Sequence, residues 1–453
     1  MTARSPGADD GSDEALALLR DAGPTVNPAG ESPAMGRARA DTPTPEPRQA
    51  PRHRAMAWSE ARTVATRAGR AAPARSHRVP LERALGEILT EPLTALTDLP
   101  SFDTSAMDGW AVAGPGPWTV RDGGILAGHS LPGSLADGEA VRIATGARVP
   151  AGATAVIRSE HARTDEARTQ LQADRVVLHG QDIRPRGQEC RSGDALLPTG
   201  ALVTPAVLGL AAAAGYDELS TVPRPRVEIL VLGDELLTRG LPHDGLIRDA
   251  LGPMLGVWLR ALGAEVVATR RLKDDAGALL AAVTASSADL VITTGGTAAG
   301  PVDHVHPVLH KAGAELLVDG VAVRPGHPML LAQIGVGKHL VGLPGNPLAA
   351  VSGLLTLAEP LLRELAHRAR PVAYTAPLRN EVQGHPYDTR LVPVVHRADR
   401  VVPLHYNGPA MLRGIAAADG LAVVPPGGAR TGREVEVLDL PWSPSASGEG
   451  CFT

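Results

Sequence analysis

Residues 289–347 constrain the chain most tightly. Two short apolar runs in this span each stop at a glycine-rich loop. They are Asp289-Leu-Val-Ile-Thr-Thr-Gly-Gly-Thr-Ala-Ala-Gly300, followed by Asp303, and His339-Leu-Val-Gly-Leu-Pro-Gly-Asn-Pro347. A β-branched run closed by glycines is the pattern of a buried strand entering a tight turn. Glycine lets the backbone approach a ligand and aim N–H groups at it. A helix following such a loop adds a positive end that favours an anion. Loops of this kind bind phosphates or similar oxyanions.

The surroundings of the two runs alternate. Strands are expected at 227–232, 264–269, 289–294 and 340–343. Helices are expected at 247–263, 275–286 and 347–368, the last kinked by Pro360. That alternation predicts a central doubly wound three-layer α/β/α domain over residues 225–368. Ligands of such sheets sit beyond the carboxyl ends of the strands, where three loops fall: Gly233-Asp-Glu235, residues 294–303, and Pro344-Gly345-Asn346.

The flanks read differently. Residues 1–55 are rich in Pro, Ala, Gly and charge and are expected to be a disordered tail, with a short helix at 13–20 as the alternative. Residues 56–109 and 186–224 are assigned to a composite N-terminal domain, with a helix at 203–215. Residues 110–185 carry short apolar runs at 118–120, 140–143, 154–157 and 175–178 and predict a small β domain. Pro223-Arg-Pro225 is the expected linker. Residues 369–440, with runs at 391–395, 401–404, 420–424 and 434–438, predict a C-terminal β-barrel domain, and 441–453 a frayed tail. The fold class is multidomain α/β plus β, with the α/β domain flanked by small β-barrels.

Composition narrows the function. Hydrophobic residues make up 43% of the 453, but aromatics only 2%, so recognition of nucleic acid by stacked aromatics is not expected. A net charge of −5 and a pI near 6.3 give no electrostatic reason to invoke nucleic acid or an acidic membrane. Two distant cysteines, Cys190 and Cys451, form neither a disulfide framework nor a zinc cluster. No stretch has the length and apolarity of a membrane span or signal peptide, and the expected location is the cytoplasm.

Several acids admit two readings. Asp108, before Gly109, is a turn aspartate by residue type. Asp234 and Glu235 cap a helix or face a ligand. Asp274 caps the helix expected from 275 or faces the same site. Asp303, beside the glycine loop, suits Mg²⁺ bridging to a phosphate. His306 and His310 share helical spacing but lack a further ligand set, so they are read as surface residues.

Five segments taken together resemble the molybdopterin molybdenumtransferase family, the molybdate insertases, which include the E domain of gephyrin. They are Phe102-Asp-Thr-Ser-Ala-Met-Asp-Gly-Trp-Ala111, Val141-Arg-Ile-Ala-Thr-Gly-Ala147, Leu232-Gly-Asp-Glu-Leu236, the Asp289–Gly300 run with Asp303, and Gly342-Leu-Pro-Gly-Asn-Pro347. Their order and spacing match over about residues 58–440. The resemblance implies an elongated four-domain subunit. It also implies a homodimer whose site lies between the α/β domain of one subunit and the Asp108 region of the other. The implied substrates are adenylylated molybdopterin and molybdate, with Mg²⁺, and the products are molybdenum cofactor and AMP. It assigns catalytic roles to Asp108, Glu235, Asp274 and Arg324. Ligand binding falls to Thr145, Gly295, Gly296, Thr297, Gly300, Pro344, Gly345 and Asn346, and the metal to Asp303 and Asp274.

One stretch departs from the pattern. The family shows two lysines four residues apart, the second opening a Lys-Pro-Gly-Lys sequence. Here the stretch is Gly320-Val-Ala-Val-Arg324-Pro-Gly-His327. Arg324 keeps its charge and can grip an oxyanion with two N–H groups. Gly320 has lost the charge, and His327 is only partly charged at neutral pH. The loop 297–299 also lacks the serine often found there. A non-catalytic paralogue that binds or carries molybdopterin or finished cofactor is therefore the alternative. A nucleotide-hydrolysing relative sharing only the α/β domain is a third reading.

Overall fold

The computed structural model describes residues 55–128, 133–297 and 304–442. Nearly all of both expected tails, together with Gly300 and Asp303, lie outside these residues.

The site rests on a six-stranded mixed sheet. Its strands are β1 (Arg226–Leu232), β2 (Glu265–Leu272), β3 (Leu290–Thr294), β4 (Glu315–Asp319), β5 (Leu330–Gly335) and β6 (Lys338–Leu343), in the order β2-β1-β3-β6-β5-β4. The first four run parallel, and β5 and β4 complete the sheet antiparallel. Adjacent residues feed opposite faces, as the two-residue strand period demands. Ile229, Ile292 and Val341 enter one core with Trp58, Leu255 and Leu354. Leu230, Val291 and Leu340 enter another with Leu279 and Val308. Strands buried on both faces explain the unbroken Val/Ile/Leu runs.

Most central elements fall where the sequence placed them, with informative shifts. The helix expected from 247 starts at Leu251. The N-cap is Ala250, and the preceding Asp249 accepts the Gly252 N–H at 2.8 Å and pairs with Arg271, which ties down the first turn. Ile247–Arg248 instead pairs with Leu236–Leu237. Strands β4 and β5 were not foreseen, nor was Val321–Arg324. The helical stretch from Pro347 runs to Leu365 through a wide π turn at Leu354–Ala358. Pro360 has no N–H for the Thr356 carbonyl, and the Glu359 N–H reaches back to the Leu354 oxygen, so the helix widens where proline removes a bond. Trp58 Nε1 donates to Thr356 Oγ1 at 3.0 Å beside this turn.

The flanking parts are sheets. Residues 109–173 supply six strands, and the end strands, Ala162–Thr164 and Ala155–Arg158, are not paired with each other. The run at 175–178 is not a strand: Val176 and Leu178 are exposed, and Gln170–Ala173 pairs instead, burying Leu171. Residues on either side of this region pair with one another, Leu93–Thr94 with Ala195–Leu197 and His77–Pro80 with Glu218–Val222. The helix expected at 203–215 spans Pro205–Ala213, capped by Thr204. The C-terminal strands Thr389–Arg397, Gly420–Val424 and Glu434–Asp439 form a sheet that also takes in Val321–Arg324 from the central region, and whose ends do not meet. Among the described residues no helix is long and apolar enough to cross a membrane.

Candidate functional site

The two glycine loops converge. β3 and β6 are neighbours in parallel register, so both loops leave the same sheet edge. A Cβ on Gly345 would lie 3.7 Å from Gly295 Cα. Gly295 and Gly296 sit at φ +83° and +66°, which favours glycine at both. The Gly295 N–H continues the ladder to Leu343 O at 2.9 Å. Hydrogen bonds among the described residues leave the N–H groups of Gly296, Gly345 and Asn346 unclaimed. Pro344 and Thr297 are buried, whereas Gly345 and Asn346 are exposed. This edge can cradle an oxyanion with main-chain donors.

The helix behind the second loop does not add its positive end as expected. Leu348 and Ala349 donate their N–H groups to the Pro409 carbonyl at 2.9 and 3.2 Å. A loop of the C-terminal region thus takes two of the free donors of this helix start. The loop, not the helix end, is left to meet a ligand.

The acids after β1 and β2 meet at the same edge. No helix follows Gly233, so neither Asp234 nor Glu235 is a helix cap; both are exposed. A side chain on Gly233, at φ +136°, would start 2.6 Å from Glu235 Oε2. The N-cap after β2 is Asp275, which accepts from Ala278 N–H. Asp274 is exposed, and its Oδ2 accepts the Asp234 N–H at 3.3 Å. Among the described residues no group of three or more metal-ligating side chains gathers. The exposed Asp274 carboxylate is an oxygen ligand of the type that hard cations such as Mg²⁺ take.

Asp108 and Thr145 form a second corner, in the small β domain. Asp108 stands in the bend before the strand Gly109–Val112, and its Oδ1 accepts the Thr145 N–H at 2.7 Å. Its carbonyl accepts the Ser159 N–H at 3.1 Å. Both bonds stay within that domain, and among the described residues none joins Asp108 to the glycine loops.

The departing stretch forms a third corner. Gly320 lies at φ +74°, and a side chain there would start 3.9 Å from His327 Nε2. His327 Nδ1 is 2.9 Å from the Val321 carbonyl, which can only accept, so that nitrogen carries the proton. The missing side chain at 320 and the imidazole at 327 are thus neighbours. Arg324 Nε donates to Asp388 Oδ2 at 2.8 Å. Sequence reasoning missed Asp388: it lies 64 residues away, and only the pairing of Val323 and Arg324 with Thr389 and Arg390 brings it close. His306 pairs with Asp319 at 2.9 Å.

Comparison with known proteins agrees with this geometry along nearly the whole chain. The MoeA N-terminal region (domain I and II) matches residues 56–215, a probable molybdopterin binding domain matches 228–364, and the MoeA C-terminal region (domain IV) matches 375–440. A molybdopterin molybdenumtransferase of Staphylococcus aureus is 31% identical over 382 residues, covering 80% of this chain and 90% of that protein. The chain belongs to the molybdopterin molybdenumtransferase family. Molybdopterin molybdenumtransferase 2 of Mycobacterium tuberculosis is 35% identical over 392 residues, covering 80% of this chain and 94% of its own. The crystal structure of a Pyrococcus molybdopterin biosynthesis MoeA protein superposes with a TM-score of 0.67 at 27% identity, covering 85% of this chain and 99% of that one. The family relation places the chain in molybdenum cofactor biosynthesis and its fold among MoeA-like mixed α/β structures.

Proposed function

We propose that this chain inserts molybdate into adenylylated molybdopterin and releases AMP. The observation that carries the reading is the pair of glycine loops, close enough that a Cβ on Gly345 would touch Gly295, with unclaimed N–H groups at 296, 345 and 346. These amides would hold a phosphate of the pterin adenylate, with Gly300 extending the first loop. Thr297 and Pro344, both buried, would fix the loops' shape. Preorganised donors of this kind stabilise developing charge without reorganising. Glu235 and Asp274 would stand beside the phosphates, and Arg324 would bind molybdate or a phosphate oxygen.

Carboxylates repel anions, so Asp274 and Asp303 would act through Mg²⁺, which neutralises the charge between them and the phosphates. Asp108 and Thr145 would be supplied by the second subunit of a homodimer. Their bonds within their own domain are consistent with a corner presented outward. The protein would work in the cytoplasm.

The test is AMP release from purified protein given Mg²⁺, molybdate and adenylylated molybdopterin. AMP at many times the enzyme concentration is expected, and none would overturn the reading. Asp274→Asn should lower the rate, and sedimentation should give a dimer.

One observation favours a second reading, binding without turnover. The Gly320–His327 pair lacks two family positive charges in one place. Charge restoration is better tested by His327→Lys than by Gly320→Lys, because a side chain at 320 needs φ +74°. AMP release appearing only in the His327→Lys protein would mark a weakened enzyme. Tight pterin binding with no AMP from either would mark a carrier.

A further inference from the structure

We propose that Asp388, reaching in from the C-terminal sheet, positions Arg324 by its Nε and so leaves the terminal guanidinium nitrogens for an oxyanion; this rests on the site reading above. Asp388 is 8% exposed, and the Arg324 side chain is 50% exposed. A buried carboxylate therefore holds the base of a guanidinium whose head reaches solvent.

Asp388 is itself fixed. Its N–H donates to His385 Nδ1 at 3.0 Å, so the imidazole holds the backbone of the turn and that nitrogen has no proton with which to compete with Arg324 for the carboxylate. The next residues, Thr389 and Arg390, are in register with Val323 and Arg324. The clamp is thus built from a turn and a strand pairing, and joins the central region to the C-terminal sheet.

The arrangement explains why arginine suits this chain where the family shows lysine. A guanidinium has five N–H donors spread over three nitrogens, so one edge can be tied down while another binds ligand. An ammonium is a single charge centre. Lysine at 324 would be captured by Asp388 and withdrawn from the ligand. In this chain residues 324 and 388 should therefore be exchangeable only together.

The experiment uses the full chain with Arg324→Lys, Asp388→Asn and the double variant. AMP release is followed against molybdate concentration. Asp388→Asn is expected to raise KM for molybdate about tenfold, the equivalent of one charge-assisted hydrogen bond, with kcat little changed. Arg324→Lys should lose more, and the double variant should recover much of that loss because the ammonium is released. A double variant no better than Arg324→Lys, or an Asp388→Asn protein with unchanged KM, overturns the proposal.

A second readout needs neither turnover nor a variant that folds. In wild-type protein the Arg324 Nε–H resonance should be protected from exchange and should shift when molybdate alone is added. Protection together with the shift but no AMP would sink the insertase reading and keep the positioning role. An unprotected or unresponsive resonance would sink the positioning role whatever the turnover.

Discussion

The two ends of the same central strands are built in opposite ways. At the amino ends of β3 and β6, ionisable groups close the sheet. Asp289 accepts Arg75 Nη1 at 2.9 and 2.8 Å and the Arg226 N–H at 2.7 Å, and its carbonyl accepts from the His339 N–H at 2.9 Å. At the carboxyl ends the chain offers glycine, positive φ and unclaimed amides. One end uses its polar groups within the fold, and the other leaves main-chain amides unclaimed.

The contrast is sharpest where backbone space is filled. A Cβ on Gly342 would start 2.8 Å from both Leu330 Cγ and Thr297 Cγ2, each buried. Gly342→Val should cost about 3 kcal/mol in urea unfolding through overpacking, and should weaken pterin binding by displacing Thr297. If binding survives at full strength, the glycine edge is not the site.

Asp289→Ala removes the lock at the other end. It strips the partners from a half-buried Arg75 and from the Arg226 N–H. A loss of about 2 kcal/mol is expected after discounting for the exposure of Arg75, with AMP release per folded molecule unchanged. A drop in kcat without loss of stability would erase the distinction between the ends.

Gly295→Ala is smaller. Its φ of +83° strains any side chain, and a Cβ would meet Leu232 O at 3.3 Å. About 1 kcal/mol of stability should go, with a larger effect on ligand affinity than on folding.

The smallest effect is a pH slope. Burial pushes the His339 imidazole below the ordinary 6.5, with nearby Asp289 opposing, and its Nδ1 has no partner among the described residues. The unfolded chain takes up that proton first. Stability should therefore be flat above pH 6.5 and decline as the pH falls toward the folded value. His339→Leu should flatten that acid-side decline in unfolding curves taken at several pH values, and leave the neutral-pH dependence of activity unaltered.

Much of the central domain was legible because its signals are local. Uninterrupted β-branched runs require burial on both faces, and they mark β1, β3 and β6 within a residue or two. The glycines after them announce the loops. Strands β4, β5 and Val321–Arg324 were not legible, because short runs broken by turns acquire strand character only from their neighbours. At 175–178 the difference runs the other way: apolar residues suggest a strand, but only Val177 packs against the core, while Val176 and Leu178 stay exposed. The helix cap is Asp275, one residue past Asp274, so Asp274 is released from capping and instead accepts the Asp234 N–H.

By itself, then, the sequence settled which segments become buried strands and where the backbone must turn on glycine, since both follow from side-chain type and steric freedom at single residues. Only the tertiary structure decided that Pro409 would take the amides of the helix start, that Asp388 would hold Arg324, and that Gly295 would meet Gly345. Such partners lie dozens of residues apart, and the choice among many equivalent carbonyls and carboxylates is made by how the sheets pack and register.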